Sequence, residues 1–176
     1  MRTLKRWALA PLAVLLLAAC GDGAEKTATG ETAAAGPSQK TLNAALSGSM
    51  KKVVENASLS TVLEGVGPYT LLAPPDAALS GFTDPAMKAE DAALVRAHLL
   101  PGAVTRADIG TAIDAAAAKK VEMRTMAGGL VTFTRDGEAI VAAAENGTSA
   151  RLTGAEGVQS NGVLQPIDGV LMKGQG

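Results

Sequence analysis

Three side chains in this sequence carry enough chemistry to ask what they could do: His98, Asp76 and Cys20. His98 is the only imidazole and Cys20 the only thiol in 176 residues. One of each cannot build the usual four-ligand zinc set, and neither His-Glu-x-x-His nor Cys-x-x-Cys occurs. A Gly-x-Ser-x-Gly elbow and a phosphate-binding P-loop are also missing. Seventeen acidic residues always offer some pair in space, but no spacing singles one out. Asp76 and His98 could relay a proton or touch a ligand. They could equally finish the backbone, Asp76 at the head of a helix after Pro74-Pro75 and His98 at a helix end. The second reading is adopted for both, so no catalytic residue, metal or cofactor is assigned.

Cys20 belongs to an address. Arg2, Lys5 and Arg6 precede an apolar run, Leu9 to Ala19, broken only by Pro11. The run is too short and one-sided for a spanning helix and suits a signal peptide, residues 1–19. Its end, Leu17-Ala18-Ala19-Cys20, resembles a bacterial lipoprotein signal. That resemblance implies an acylated Cys20 as the mature N-terminus, which explains a lone cysteine in an exported chain. Each buried acyl CH₂ adds roughly 0.8 kcal/mol of membrane affinity. Residues 21–40 hold no leucine, isoleucine, valine or aromatic and read as a linker. Its expected reach is roughly 25 Å. Losing the leader's three cations takes the net charge from −1 to −4. With Trp7 gone, Tyr69, Phe82 and Phe133 are the only aromatics. No basic patch and no stacking platform remains for nucleic acid.

Positioning falls to one domain, residues 41–174. Leu42/Ala45/Leu46, Val53/Val54/Ala57 and Leu59/Val62/Leu63 predict three short helical pieces, parted by Ser47-Gly48-Ser49 and Ser58. Tyr69–Ala73, bounded by Gly67-Pro68 and Pro74-Pro75, predicts a buried strand. Pro75-Asp76 then opens a short helix, with Asp76 capping it. Asp84-Pro85 signals another helix start, with helix over Asp91–Leu99 and a stop at Pro101-Gly102. Thr105 and Asp108 predict a capping box for a helix from Ala107 to about Ala118. From Val121 the period is two. Turns are expected at Gly128-Gly129, Asp136-Gly137, Asn146-Gly147 and Asn161-Gly162, with Phe133 facing inward. Helices first and a β meander after predict an α+β domain.

Thr70-Leu71-Leu72-Ala73-Pro74-Pro75-Asp76-Ala77-Ala78-Leu79 resembles the first motif of fasciclin domains. Ala97-His98-Leu99-Leu100-Pro101-Gly102 resembles their central Tyr-His motif, and Asn161 to Leu171 their C-terminal motif. The three cover about residues 41–173. The resemblance implies a single β wedge or sandwich with short helices along one edge, and it puts Tyr69–Ala73 in the sheet of the β-rich second half. It implies structural roles for Thr70, Ala73, Pro74, Asp76, His98, Asn161, Gly162 and Asp168. Asp168 is expected as a buried or strand-end carboxylate accepting backbone hydrogen bonds. Departures are Leu72 and Leu79 for phenylalanine, Ala97 for tyrosine, and Gln165 for histidine. Pro166 predicts an edge or a bulge.

The functional expectation is a non-enzymatic interaction or adhesion module, lipid-tethered at a bacterial cell envelope. The compartment is extracytoplasmic, at the outer membrane if the cell is Gram-negative. Its expected partners are the membrane, through the lipid, and an envelope or extracellular protein or glycan. The alternatives are a periplasmic carrier or sensor of a small apolar ligand, and an envelope hydrolase.

Overall fold

The computed structural model describes residues 38–82 and 84–172. The leader, Cys20 and most of the linker lie outside the described residues. Five α-helices and eight strands follow in order among the described residues. Helices α1 (Leu42–Ala45), α2 (Gly48–Asn56) and α3 (Ser60–Glu64) come first. Strand β1 (Tyr69–Ala73), two 3-10 turns (Asp76–Leu79, Pro85–Met87) and α4 (Lys88–His98) follow. Then come β2 (Leu99–Pro101), α5 (Arg106–Ala115), β3 (Lys120–Arg124), β4 (Leu130–Asp136) and β5 (Ala139–Ala144). Strands β6 (Ser149–Arg151), β7 (Gly157–Gln159) and β8 (Gly162–Pro166) end the fold.

The strands form two sheets, ordered β2-β1-β8-β7 and β3-β4-β5-β6. The second is the expected antiparallel meander. The first joins β1 to β8 in parallel, with β2 and β7 antiparallel on the flanks. The β-rich second half therefore supplies two sheets, and Tyr69–Ala73 joins the last two strands instead of the meander. Strand β1 is buried on both faces over Thr70–Leu72, which suits its run of apolar residues broken only by Thr70. Leu71 packs with Leu42, Val53, Leu63 and Leu94 under the helices. Leu72, pointing the other way, packs with Phe133, Ile109, Ile167 and Leu171 against the meander and α5.

Local rules explain most boundaries and their misses. Asp84 caps Ala86 N–H at 2.9 Å with Pro85 next to it. The capping box of Thr105 and Asp108 forms, although α5 stops at Ala115. Helix α4 starts at Lys88 and ends at His98, so Leu99 is not helical as expected. Pairing with β1 pulls Leu99–Pro101 into a strand. Two turns sit one residue from their predicted place. Asp136 pairs with Ala139, so the loop is Gly137-Glu138, with Gly137 (φ +62°) at its first central position. Gln159 pairs with Gly162, so the loop is Ser160-Asn161. Gly162 belongs to the strand, paired with Tyr69 and Gln159, and only glycine fits there because a Cβ would meet Tyr69 O at 2.0 Å. Strand β8 is central, not an edge. Pro166 lies past the end of β7, and its carbonyl takes Thr153 N–H at 2.9 Å. Its missing N–H thus costs no ladder bond. Phe133 is buried, as its predicted register requires.

Candidate functional site

The motif residues collect around β1 and β8, and the side chains there mostly hold backbone. Thr70 is buried on β1. Its hydroxyl donates to Gly102 O (2.7 Å) and accepts from Val104 N–H (2.8 Å), fixing the chain after β2. Ala73 O takes Ile167 N–H at 3.0 Å, the last parallel bond before buried Pro74 breaks the strand. Asn161 does the most. Its Oδ1 accepts Leu42 N–H, and its Nδ2 donates to Leu63 O and Gly65 O, each at 2.8 Å. Its own carbonyl accepts Tyr69 N–H at 3.1 Å. One residue thus joins the start of α1 and the end of α3 through its side-chain amide, and the start of β1 through its carbonyl.

Asp76 is exposed and does not cap the turn it opens. Its Oδ1 accepts Ser49 N–H at 2.7 Å, across to the first turn of α2. Ser47, at the cap position of α2, makes no capping bond of its own. The carboxylate sits so close that a Cβ on Gly48 would meet it at 2.3 Å, and Gly48 has φ +59°. Asp76 is therefore a cap in trans, and the expectation of a cap in cis is corrected. Asp168 is exposed, not buried, and is the strand-end carboxylate of the two expected forms. Its Oδ1 accepts Arg151 N–H (2.7 Å), and its N–H donates to Arg151 O (3.0 Å). The pair covers the outer edge of β6.

His98 is fully buried at the end of α4. Nδ1 bonds Leu94 O at 2.8 Å and Nε2 accepts Leu171 N–H at 2.9 Å. Only the neutral ring with its proton on Nδ1 satisfies both. Burial lowers its pKa to about 4, against a smaller opposite pull from Leu94 O. A ring with both nitrogens engaged and no charge at neutral pH is a brace. His98 and Asp76 share no partner. Asp76 faces a cleft of about 270 Å³ with Met50, Pro74, Pro166 and Ile167, which His98 does not line.

Two polar features escaped sequence reasoning. Asp91 is fully buried in the first turn of α4, and Asn56 Nδ2 donates to it at 2.5 Å and to Asp84 O at 3.0 Å. Burial raises its pKa, with Glu90 and Asp84 adding to that and Asn56 opposing. The signal was present: Asp91 shares the helical face of Leu94, Val95 and His98. Gln165, buried on β8, donates to Pro166 O at 2.9 Å while its Oε1 has no partner among the described residues. No group of three His, Cys, Asp or Glu among the described residues could hold a metal ion.

A family model for the fasciclin domain matches residues 47–173. Among solved structures, the FAS1 domain pair of the insect cell adhesion molecule fasciclin I is similar, with a TM-score of 0.57 and 19% identity. The match covers 69% of this chain and 43% of that one, so the chain spans less than half of the insect domain pair. At that identity the likeness is one of fold. No match was found among curated protein sequences.

Proposed function

This chain belongs to the fasciclin-domain family, and from that premise we propose that it is a non-enzymatic binding module of a bacterial cell envelope. In this reading an acylated Cys20 tethers it through residues 21–40, and it meets an envelope or extracellular protein or glycan by its surface. The observation that carries the reading is the engagement of His98. Both its nitrogens hold backbone groups, and its ring is buried and neutral. Asp76 and Asp168 likewise accept backbone N–H groups. A carrier of a small apolar ligand is the second reading, favoured by the cleft beside Asp76. Its volume of about 270 Å³ falls just under the roughly 300 Å³ where small-molecule pockets begin.

The test pairs His98→Gln and Asp76→Asn with a deletion strain. Stability and envelope phenotype should fall together, in step with folded protein. A folded, abundant variant that abolishes the phenotype would defeat the binding-module reading. So would turnover of a substrate with a pH profile that needs His98. Mass spectrometry of the membrane fraction should show a diacyl or triacyl mass on Cys20; an unmodified chain beginning elsewhere removes the tether from the proposal.

A further inference from the structure

The large apolar side chains exposed among the described residues are Val62 (38%), Val66 (97%) and Met126 (47%). Val62 and Met126 flank a slot of about 170 Å³ floored by Leu63, Val95 and Leu99. The slot is preformed. Met126 N–H donates to Leu99 O at 2.8 Å and Ala127 N–H to Arg96 O at 3.1 Å, stitching its loop wall to the end of α4. It is well under the roughly 300 Å³ of a small-molecule pocket, so it suits one side chain of a protein partner. Arg96 stands on its rim, exposed. The guanidiniums of Arg106, Arg124, Arg135 and Arg151 each hold an oxygen. That of Arg96 has no hydrogen-bond or ion-pair partner among the described residues. An apolar slot beside a free cation fits an aliphatic side chain close to a carboxylate.

The chain displays that chemistry itself. Glu64 ends α3 and Gly65-Val66 follows it, with Glu64 and Val66 exposed. Asn161 Nδ2 grips Leu63 O and Gly65 O. Gly67 lies so close to Asn161 O that a Cβ would meet it at 2.3 Å. The loop is thus braced, and Val66 points away from its own domain at little further ordering cost. Glu64 uses one oxygen on Asn43 Nδ2 at 2.7 Å, which leaves the other for a partner.

We propose that the slot receives a second copy of this chain: Val66 of one copy fills the slot of the other, and Glu64 meets Arg96. The knob directly follows α3, and the α3 segment supplies Leu59, Val62 and Leu63 to the slot, whose other wall is Val95, Arg96, Leu99 and Met126. In the proposed pairing a two-fold axis beside α3 serves both contacts at once, an isologous arrangement. The contact is small and belongs with transient interfaces. Tethering many copies to one surface raises their effective concentration. This inference rests on the binding-module reading and names its partner.

The test is sedimentation equilibrium of the chain from residue 20 onward, with Cys20→Ser to prevent acylation, across the micromolar to millimolar range. Wild type should show a reversible monomer–dimer equilibrium. Val66→Glu and Arg96→Glu, checked for native circular dichroism, should each weaken it about tenfold. The double variant Glu64→Arg/Arg96→Glu should recover the wild-type constant within about threefold. A monomer throughout, or a dimer indifferent to Val66→Glu and Arg96→Glu, or a double variant no better than Arg96→Glu alone, overturns the pairing. If the chain is monomeric yet folded Val66→Glu loses the envelope phenotype, the slot or loop serves a foreign segment. The self-pairing then falls while the binding-module reading stands. A folded His98→Gln without phenotype would do the reverse.

Discussion

The two sheets are held together by different means. The meander β3–β6 is built from neighbours in sequence, and its core side chains are apolar: Val131, Phe133, Ile140 and Ala142. The sheet of β2, β1, β8 and β7 joins strands far apart in the chain. Buried polar side chains, Thr70, Asn161 and His98, brace it. Apolar packing tolerates exchange of shape, whereas a buried polar group is costly unless every partner is in place. Several of the family's motif residues gather at the second kind of sheet. There Thr70, Asn161 and His98 each fix a backbone group distant in sequence.

The largest expected effect strikes the apolar side. Phe133→Ala should cost about 3–5 kcal/mol in denaturant unfolding, since the ring is fully buried. A loss under about 1 kcal/mol would mean that the meander does not share the core of the other sheet. Next comes Asn161→Ala, which strands Leu42 N–H and the carbonyls of Leu63 and Gly65. At about 1–3 kcal/mol for each buried group left without a partner, the total should be about 3 kcal/mol or more. Asn161→Asp keeps the acceptor for Leu42 but loses the donor. It should fall between the two, and equality with wild type would show that water replaces the amide.

The histidine gives the comparison a pH axis. The folded-state pKa, about 4, lies below the ordinary 6.5. Between these values the unfolded chain takes up a proton that the folded chain refuses. Stability is therefore full above pH 6.5, declines as pH falls toward 4, and levels below that. The loss should be about 3 kcal/mol. Asp91 acts in the opposite sense. Its raised pKa means that acidification favours the folded state, so the difference between wild type and His98→Gln isolates the imidazole. A His98→Gln curve parallel to wild type would mean that the ring already titrates in the folded protein. The smallest effect is expected at Asp76→Ala, which removes the cap of α2 and should cost about 1 kcal/mol by thermal unfolding. Restoring a local cap through Ser47→Asp should recover part of it.

The same division explains what the sequence disclosed. The meander was legible because its turns are dipeptide signals and its strands alternate. Even its misplaced turn is displaced by one residue, with Asp136 kept in the ladder by pairing with Ala139. Strand β1 was legible as a strand, but its parallel neighbour was not. Pairing Tyr69 with Gly162 leaves no local trace in either segment. Asp76 is a cap, as its sequence context predicts, but of a different helix, because the proximity of Ser49 to Asp76 exists only after folding. Asn161 read as a turn residue, which it is. Its side-chain bonds depend on three segments brought together from elsewhere.

The bond between β1 and β8 also sets a clock. A growing or emerging chain that has reached Gln159 has made its five helices and its meander available. It still lacks Asn161 for Leu42, Leu63 and Gly65, and β8 for the open flank of β1. Leu171 N–H, the partner of His98, arrives later still. Closure must therefore wait for the last stretch of the domain to appear, as long-range pairing generally delays folding. Until then the first half lacks the partners that close its sheet, and the last stretch of the domain supplies them together.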